Sequence, residues 1–173
     1  MRYDLNILLA RPGQRQGFKS PLPLLDIPLN TGIRTRAKTY YREKLQGRKV
    51  PHEVLGPVEF TLAGWRHITH QRRAPVRIQR SLALLPVVPT LITHPARVVA
   101  LRRLKPILRG DIYTDQRLVV CEYKNVPLQG RSPARVIVVL KEMISYPLNW
   151  TARTLTPADV RRQVTFASVY EKI

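Results

Sequence analysis

Two histidines three residues apart stand in residues 64–73, whose sequence is GWRHITHQRR. Three arginines flank His67 and His70: Arg66, Arg72 and Arg73. Imidazole titrates near neutral pH, and the guanidinium group binds phosphate well. Cleavage of RNA without a metal needs a base for the 2′-hydroxyl proton, an acid for the leaving oxygen and cations on the phosphate. The segment is therefore a candidate for acid–base chemistry on a phosphodiester; the alternative is a solvated basic turn after a strand.

The same segment allows two further interpretations. His67 and His70 could face one side of a helix and bind a metal, but zinc needs at least three protein ligands and no acid or cysteine lies close in sequence. We therefore predict no metal and no cofactor. Trp65 precedes the histidines, and its ring could stack on an RNA base or lie in the core.

The charge of the chain predicts a polyanionic partner. Thirty Lys and Arg residues stand against eleven Asp and Glu residues, which gives a net charge of +19. Such a field attracts nucleic acid, and the positive residues are spread along the chain rather than gathered in a tail. RNA is the favoured partner, because the sequence has no helix-turn-helix or zinc-finger pattern typical of DNA-binding regulators.

The single cysteine, Cys121, excludes an intramolecular disulfide and a cysteine-based zinc site. It lies in the apolar run 118–121, so we expect a small core residue rather than a nucleophile. No stretch approaches the roughly 20 apolar residues of a membrane span, and no signal peptide is apparent at the N-terminus. We therefore expect a soluble protein that acts in the cytoplasm without a membrane partner.

Composition divides the chain into two parts. Residues 1–56 are predicted to be a basic, Pro-rich N-terminal arm, and residues 57–173 an α+β domain. Prolines in the arm favour extended backbone, so residues 11–30 are expected to be loosely attached. The arm also contains a predicted helix from Thr31 to Leu45, rich in Arg and Lys and ended by Gly47.

Periodicity in the second part predicts helices followed by strands. The helices are expected at 75–84 and 87–93, separated by a kink at Pro86 and Pro89, with a short helical insertion at 157–163. Predicted strands follow the apolar alternation: 58–62, 97–101, 117–123, 134–141, 149–154 and 164–170. The expected fold is α+β, with N-terminal helices packed on one face of a four- to five-stranded antiparallel sheet.

The order of these motifs resembles a known superfamily. A Trp-Arg-His-Ile-x-His segment precedes the Pro-interrupted helical stretch 82–95, and hairpin strands and a late Trp-Thr-Ala-Arg-Thr at 150–154 follow it. This order resembles the barnase/EndoU/colicin/RelE-like ribonuclease superfamily, in particular its phage and polymorphic-toxin branches. The resemblance covers about residues 58–170 and rests on short motifs.

The resemblance implies metal-independent RNA cleavage on the face of a small antiparallel sheet. By position, His67 matches the family histidine, and Thr151 or Thr154 matches a hydroxyl on a late strand. Lys141 stands where a cationic phosphate ligand is expected, and we add Arg153 to the RNA-binding residues. The chain departs from the family in lacking a clear glutamate base, since Glu142 and Asp159 stand in unremarkable contexts.

Two functions remain open on these grounds. The first is a toxin-like, metal-independent endoribonuclease that forms a 2′,3′-cyclic phosphate, with His67 and His70 as acid–base residues and a cognate immunity or antitoxin protein as a further partner. The second is a non-catalytic RNA-binding protein, such as a component of a ribosome or ribonucleoprotein. The uniform basicity of the chain is compatible with both functions, and only the histidine segment favours the endoribonuclease.

Overall fold

The computed structural model describes residues 17–25, 32–148 and 156–172. Four α-helices are present in these ranges: α1 (Ile33–Tyr40), α2 (Leu62–Ile68), α3 (Pro75–Ala83) and α4 (Val88–Thr93). Seven strands form one sheet: β1 (Lys49–His52), β2 (Gly56–Glu59), β3 (Arg97–Arg103), β4 (Ile107–Arg109), β5 (Ile112–Val126), β6 (Ala134–Pro147) and β7 (Arg161–Glu171).

The α+β class is confirmed, but the sheet has seven strands instead of four to five. Its order is β1-β2-β7-β6-β5-β3, and β4 pairs with β5 beside β3. All pairings are antiparallel except the one between β2 and β7. The additional strands β1 and β4 are short, with the sequences KVPH and ILR, and too little alternation to be recognised.

Helix α1 and the π-helical turn Tyr41–Leu45 that continues it confirm the predicted basic helix. Four apolar residues at intervals of four are buried: Ile33, Ala37, Tyr41 and Leu45. Gly47 follows with a φ of 79°, a left-handed conformation that glycine adopts without strain. The thin apolar face of this helix is therefore stabilised by tertiary packing.

The two helices predicted on either side of Pro86 are also confirmed. Helix α3 ends at Ala83, and a 3-10 turn over Leu85–Val87 leads into α4. Pro86 and Pro89 stand in the first turn of the 3-10 and α-helical segments, where a missing N–H is tolerated.

The prediction of a short helix at 157–163 is wrong. A single 3-10 turn covers Pro157–Asp159, and β7 begins at Arg161. The Asp159 carboxylate accepts hydrogen bonds from the backbone N–H and hydroxyl of Thr156, at 2.9 and 2.6 Å, which closes one turn. The strand predicted at 149–154 lies outside the described residues.

The sheet has two chemically different faces, because side chains alternate along each strand. One face joins the helices in the main core; its strand residues include Val119, Cys121, Val138 and Leu140. On the other face, here called the second face, a smaller cluster consists of strand residues alone: Val120, Ile137, Val139 and Ala167. No helix in the described ranges contributes to that cluster.

Parts of the predicted N-terminal arm are built into this core. The backbone N–H of Leu22 donates to Pro127 O at 2.8 Å, and Leu22 O accepts from Gln129 N at 2.9 Å. Leu22 is buried, so the expectation of loose attachment is wrong for residues 17–25. The boundary drawn between residues 56 and 57 falls inside β2, which pairs with β1.

Cys121 lies in the main core as expected. Burial raises the pKa of its thiol to about 12, so the reactive thiolate is not formed near neutral pH. The described helices include none with the length and apolar character needed to cross a membrane.

Candidate functional site

Helix α2 holds the histidine segment against the last strand. The segment was expected to follow a strand at 58–62, but β2 ends at Glu59 and Leu62 begins α2. The Thr61 hydroxyl caps the helix by accepting from Gly64 N at 3.4 Å. A helix thus forms the first half of the segment and carries His67 in its last turn, while residues 70–72 form an exposed turn after it, as the alternative interpretation had it.

Gly64 allows α2 to approach β7 closely. A Cβ at this position would lie 2.5 Å from the Phe166 carbonyl oxygen and 2.9 Å from the Tyr41 hydroxyl. In β7, Val164 and Thr165 pair with β2, and Phe166 is the next residue. Because the approach is to backbone, only glycine fits without a shift, and α2 is seated at a defined place on β7.

Arg73 fastens the loop after α2 to the same strand. Its Nη1 donates to the Ser168 hydroxyl at 3.1 Å, and Ser168 is 1 % exposed. Desolvation by burial lowers the pKa of Arg73, and the charge of Arg77 lowers it further. The guanidinium remains charged at neutral pH, since the ordinary value is above 12.

The side chain of His67 is exposed to solvent, and the charged groups around it are positive. Partial desolvation lowers its pKa, and the charges of Arg73, His70 and Lys141 act in the same direction. Lys141 comes from β6, where it stands opposite Thr165 of β7. The fold therefore brings Lys141 close enough to His67 for their charges to interact.

His70 lies just beyond the end of α2 and is exposed. Its Nδ1 accepts a hydrogen bond from the backbone N–H of Arg72 at 3.3 Å, so the neutral ring carries its proton on Nε2. Arg66 and Arg72 are exposed beside it. We call His67, His70, Arg73 and Lys141 together the histidine site.

Trp65 does not present its ring to a ligand, which corrects its assignment to RNA binding. It is 8 % exposed, and its ring centre lies 5.5 Å from that of Tyr41 in the core. Its neighbours in sequence are basic, but the buried face of α2 takes the indole. A large aromatic side chain in a short helix is needed to bury enough apolar surface.

The structure does not test the residues that were predicted to supply a hydroxyl on a late strand. Thr151, Arg153 and Thr154 lie outside the described residues. Strand β7 instead carries Thr165 opposite Lys141 and Ser168 bonded to Arg73, neither of which the sequence had singled out. Their place on the last predicted strand, 164–170, was the signal that could have identified them.

Neither nearby acid is free to act as a base. Glu142 has a fully buried side chain that accepts from Nε of Arg117 and, at 2.7 Å, from Nε of Arg162. Desolvation raises its pKa, but the hydrogen bonds and charges of the two arginines outweigh it, and the pKa is lowered overall. Asp159 is occupied by Thr156. Neither of these two acids is therefore free, whereas Glu59 of β2 stands opposite Thr165, the residue that pairs with Lys141.

The second face of the sheet adds positive charge next to Lys141. By strand register Arg102 shares this face with Leu118 and Lys141. Arg135, further along β6, pairs with the buried carboxylate of Glu122 at 2.5 Å. A polyanion that approaches the histidine site from this side meets Arg102 of β3 and Lys141 of β6.

Among the described residues, no three His, Cys, Asp or Glu side chains lie together as a metal site would require. The chain matches no protein-family model, and comparison with curated proteins and with solved structures finds no significant similarity. The histidine site must therefore be interpreted from its own geometry.

Proposed function

We propose that this chain is a toxin-like, metal-independent endoribonuclease that uses His67 as its base. The observation that carries the proposal is the position of His67 at the end of α2, within range of the charges of Arg73 and Lys141, with Arg73 held in place by Ser168. Partial desolvation, with the positive neighbours acting in the same direction, lowers the pKa of His67 and favours the neutral imidazole, which is the form that accepts a proton.

The reaction follows from these groups. His67 removes the 2′-hydroxyl proton of a ribose, and the oxygen attacks the adjacent phosphorus. The bond from phosphorus to the 5′-oxygen breaks, and that oxygen takes a proton from His70, whose Nδ1 must first gain a proton and release the backbone N–H of Arg72. Arg73 and Lys141 stabilise the charge on the phosphorane. The products are a 2′,3′-cyclic phosphate and a 5′-hydroxyl.

Purified protein incubated with total RNA and EDTA tests this proposal. We expect cleavage, and products that end in a 2′,3′-cyclic phosphate. His67→Ala should lower the rate by about 10²–10⁴, as loss of a proton-transfer group does. A suitable control is His94→Ala, since His94 stacks on Phe18 with ring centres 4.6 Å apart and takes no part in the histidine site. Equal rates in the His67→Ala variant and wild type would refute the assignment.

The second candidate is a non-catalytic RNA-binding protein. The ion pairs that occupy Glu142 favour it, because that carboxylate is then not free to act as a base. The net charge of +19 suits it equally well. If the protein binds RNA with salt-dependent affinity but cleaves no RNA, this second function is the correct one. Under either function the expected partner is RNA; a cytoplasmic site of action and an immunity or antitoxin protein belong to the first.

A further inference from the structure

A second group of cations lies on the helical side of the protein. Helices α1 and α3 pack against each other, and their exposed positions are rich in Arg and Lys. We call this set, which projects from more than one side of the two helices, the basic helical surface: Arg36, Lys38, Arg42, Lys44, Arg77 and Arg80. The helices pack on the main core, so this surface is separate from the second face of the sheet.

The charges on this surface are hardly compensated. The only acid within α1, its π-helical turn and α3 is Glu43, which pairs with Arg42 at 3.5 Å in an exposed position. In the described parts of the chain, Arg36, Lys38 and Arg80 form no ion pair. Three arginines of the sheet behave differently, since Arg117, Arg135 and Arg162 are paired with buried glutamates.

Two cations of α1 also lie where their charge is unfavourable for the helix. Arg34 and Arg36 occupy its first turn, which contains no acid and has no side-chain cap. The N-terminus of a helix carries partial positive charge, so cations there are unfavourable and an anion would be stabilising. No ion pair among the described residues offsets Arg34 or Arg36, so an anion from another molecule would be stabilising here.

The basic helical surface is continuous with the histidine site. Nη2 of Arg34 donates to Thr69 O at 3.4 Å, and Thr69 lies between the two histidines in sequence. On α3, Arg77 is close enough to Arg73 for its charge to lower the pKa of that residue. A chain of phosphates could therefore contact both places at once.

We propose that the basic helical surface binds the phosphate backbone of an RNA chain whose scissile region occupies the histidine site. Arginine side chains in number, without aromatic anchors, fit a phosphate backbone better than an acidic protein, whose interfaces centre on apolar and aromatic residues. The helical surface then selects long RNA over short fragments. This inference rests on the proposed function for the place of the scissile bond, but backbone binding itself does not require cleavage.

A triple variant tests the surface: Arg36→Gln, Lys38→Gln and Arg80→Gln. Arg77 stays, because its charge acts on Arg73. The matched control is Arg103→Gln, Lys105→Gln and Arg109→Gln. It removes the same charge from exposed positions in and between β3 and β4, at the end of the sheet away from β1. Circular dichroism and thermal unfolding establish that both variants fold.

Affinity for a single-stranded RNA of about 30 nucleotides is measured against salt concentration. Each lost phosphate contact lowers the log–log slope by about 0.7, so the helical variant should lose about 2 from its slope while the control keeps the wild-type value. Its kcat/KM on this RNA should fall at least about tenfold, with the rate on a dinucleotide unchanged.

The outcomes separate the two proposals. If wild type cleaves no RNA but only the helical variant loses slope, the surface is established and the nuclease is refuted. If wild type cleaves RNA and both variants match it in slope and in kcat/KM, the inference is overturned and the nuclease stands. An equal loss in both variants would also overturn it, because the effect would then follow from net charge alone.

Discussion

Arg73 donates a hydrogen bond from Nη1 to the hydroxyl of Ser168 at 3.1 Å, and this contact joins the loop after α2 to the last strand. It is the direct link between the histidine segment and β7. The two residues are far apart in sequence, and Ser168 is almost fully buried. The position of Arg73, and with it the electrostatic environment of His67, therefore depends on a strand formed at the end of the chain.

Replacing Ser168 by alanine should loosen this link. Hydrogen bonds to charged groups contribute about 1.5–3 kcal/mol, and the solvent access that Arg73 retains places the expected loss in the free energy of unfolding at or below the lower end, about 1.5 kcal/mol. Urea denaturation measures it. Ser132→Ala, at an exposed loop position, is the control and should leave stability unchanged. A Ser168→Ala variant as stable as wild type would contradict the role of this bond.

Gly64→Ala should destabilise the protein and disturb the histidine site. The new Cβ would meet the Phe166 carbonyl at 2.5 Å, so α2 must move away from β7. Overpacking of this kind costs about 1–3 kcal/mol. Gly17→Ala is the control, because nothing lies within 4 Å of a Cβ there. Equal unfolding midpoints for the two variants would show that α2 does not contact β7 as described.

Removing the charge of Lys141 should raise the pKa of His67. Partial desolvation and, in addition, positive neighbours disfavour the protonated imidazole, so the pKa of His67 lies below its ordinary value of 6.5. In Lys141→Met the NMR titration of His67 should move to higher pH, and the acid limb of the cleavage profile should move with it. Lys105→Met, an exposed lysine beyond β3, should leave the titration in place. If the titration of His67 is the same in Lys141→Met and in wild type, Lys141 does not belong to the histidine site.

His52 should make the fold sensitive to acid. It is 7 % exposed, and its Nδ1 accepts from Val54 N and Leu55 N, both at 3.2 Å, which requires that nitrogen to be unprotonated. Burial lowers its pKa; Glu53 opposes this and Arg162 adds to it. Below the unfolded value of about 6.5 the unfolded chain binds more protons, so this contribution to stability is complete above pH 6.5 and is lost as pH falls through the folded pKa.

The variant His52→Asn checks that assignment. An asparagine carbonyl oxygen can accept similar backbone hydrogen bonds but does not titrate. The free energy of unfolding should therefore fall less between pH 7 and pH 5 in the variant than in wild type, as measured by urea denaturation at each pH. Identical pH dependence in the two proteins would place the acid sensitivity elsewhere.

The sequence by itself determined the elements whose signals are local. Helix α1, the pair α3 and α4, and the cores of the long strands follow from apolar spacing and from prolines at helix starts. Such signals act over a few residues, so they can be recognised without knowing the fold. The identification of residues 64–73 as chemically distinctive belongs here too, because it depends only on residue types and spacing.

Tertiary structure decided what these elements contact. The burial of Trp65, the seat of α2 on Phe166, the ion pairs of Glu142 and the approach of Lys141 to His67 all join residues distant in sequence. Helix α2 was missed because seven residues with a central glycine have weak local propensity and are stabilised by packing. The charge on His67 is likewise a property of the folded protein, since burial and charges brought from other strands and loops set its pKa.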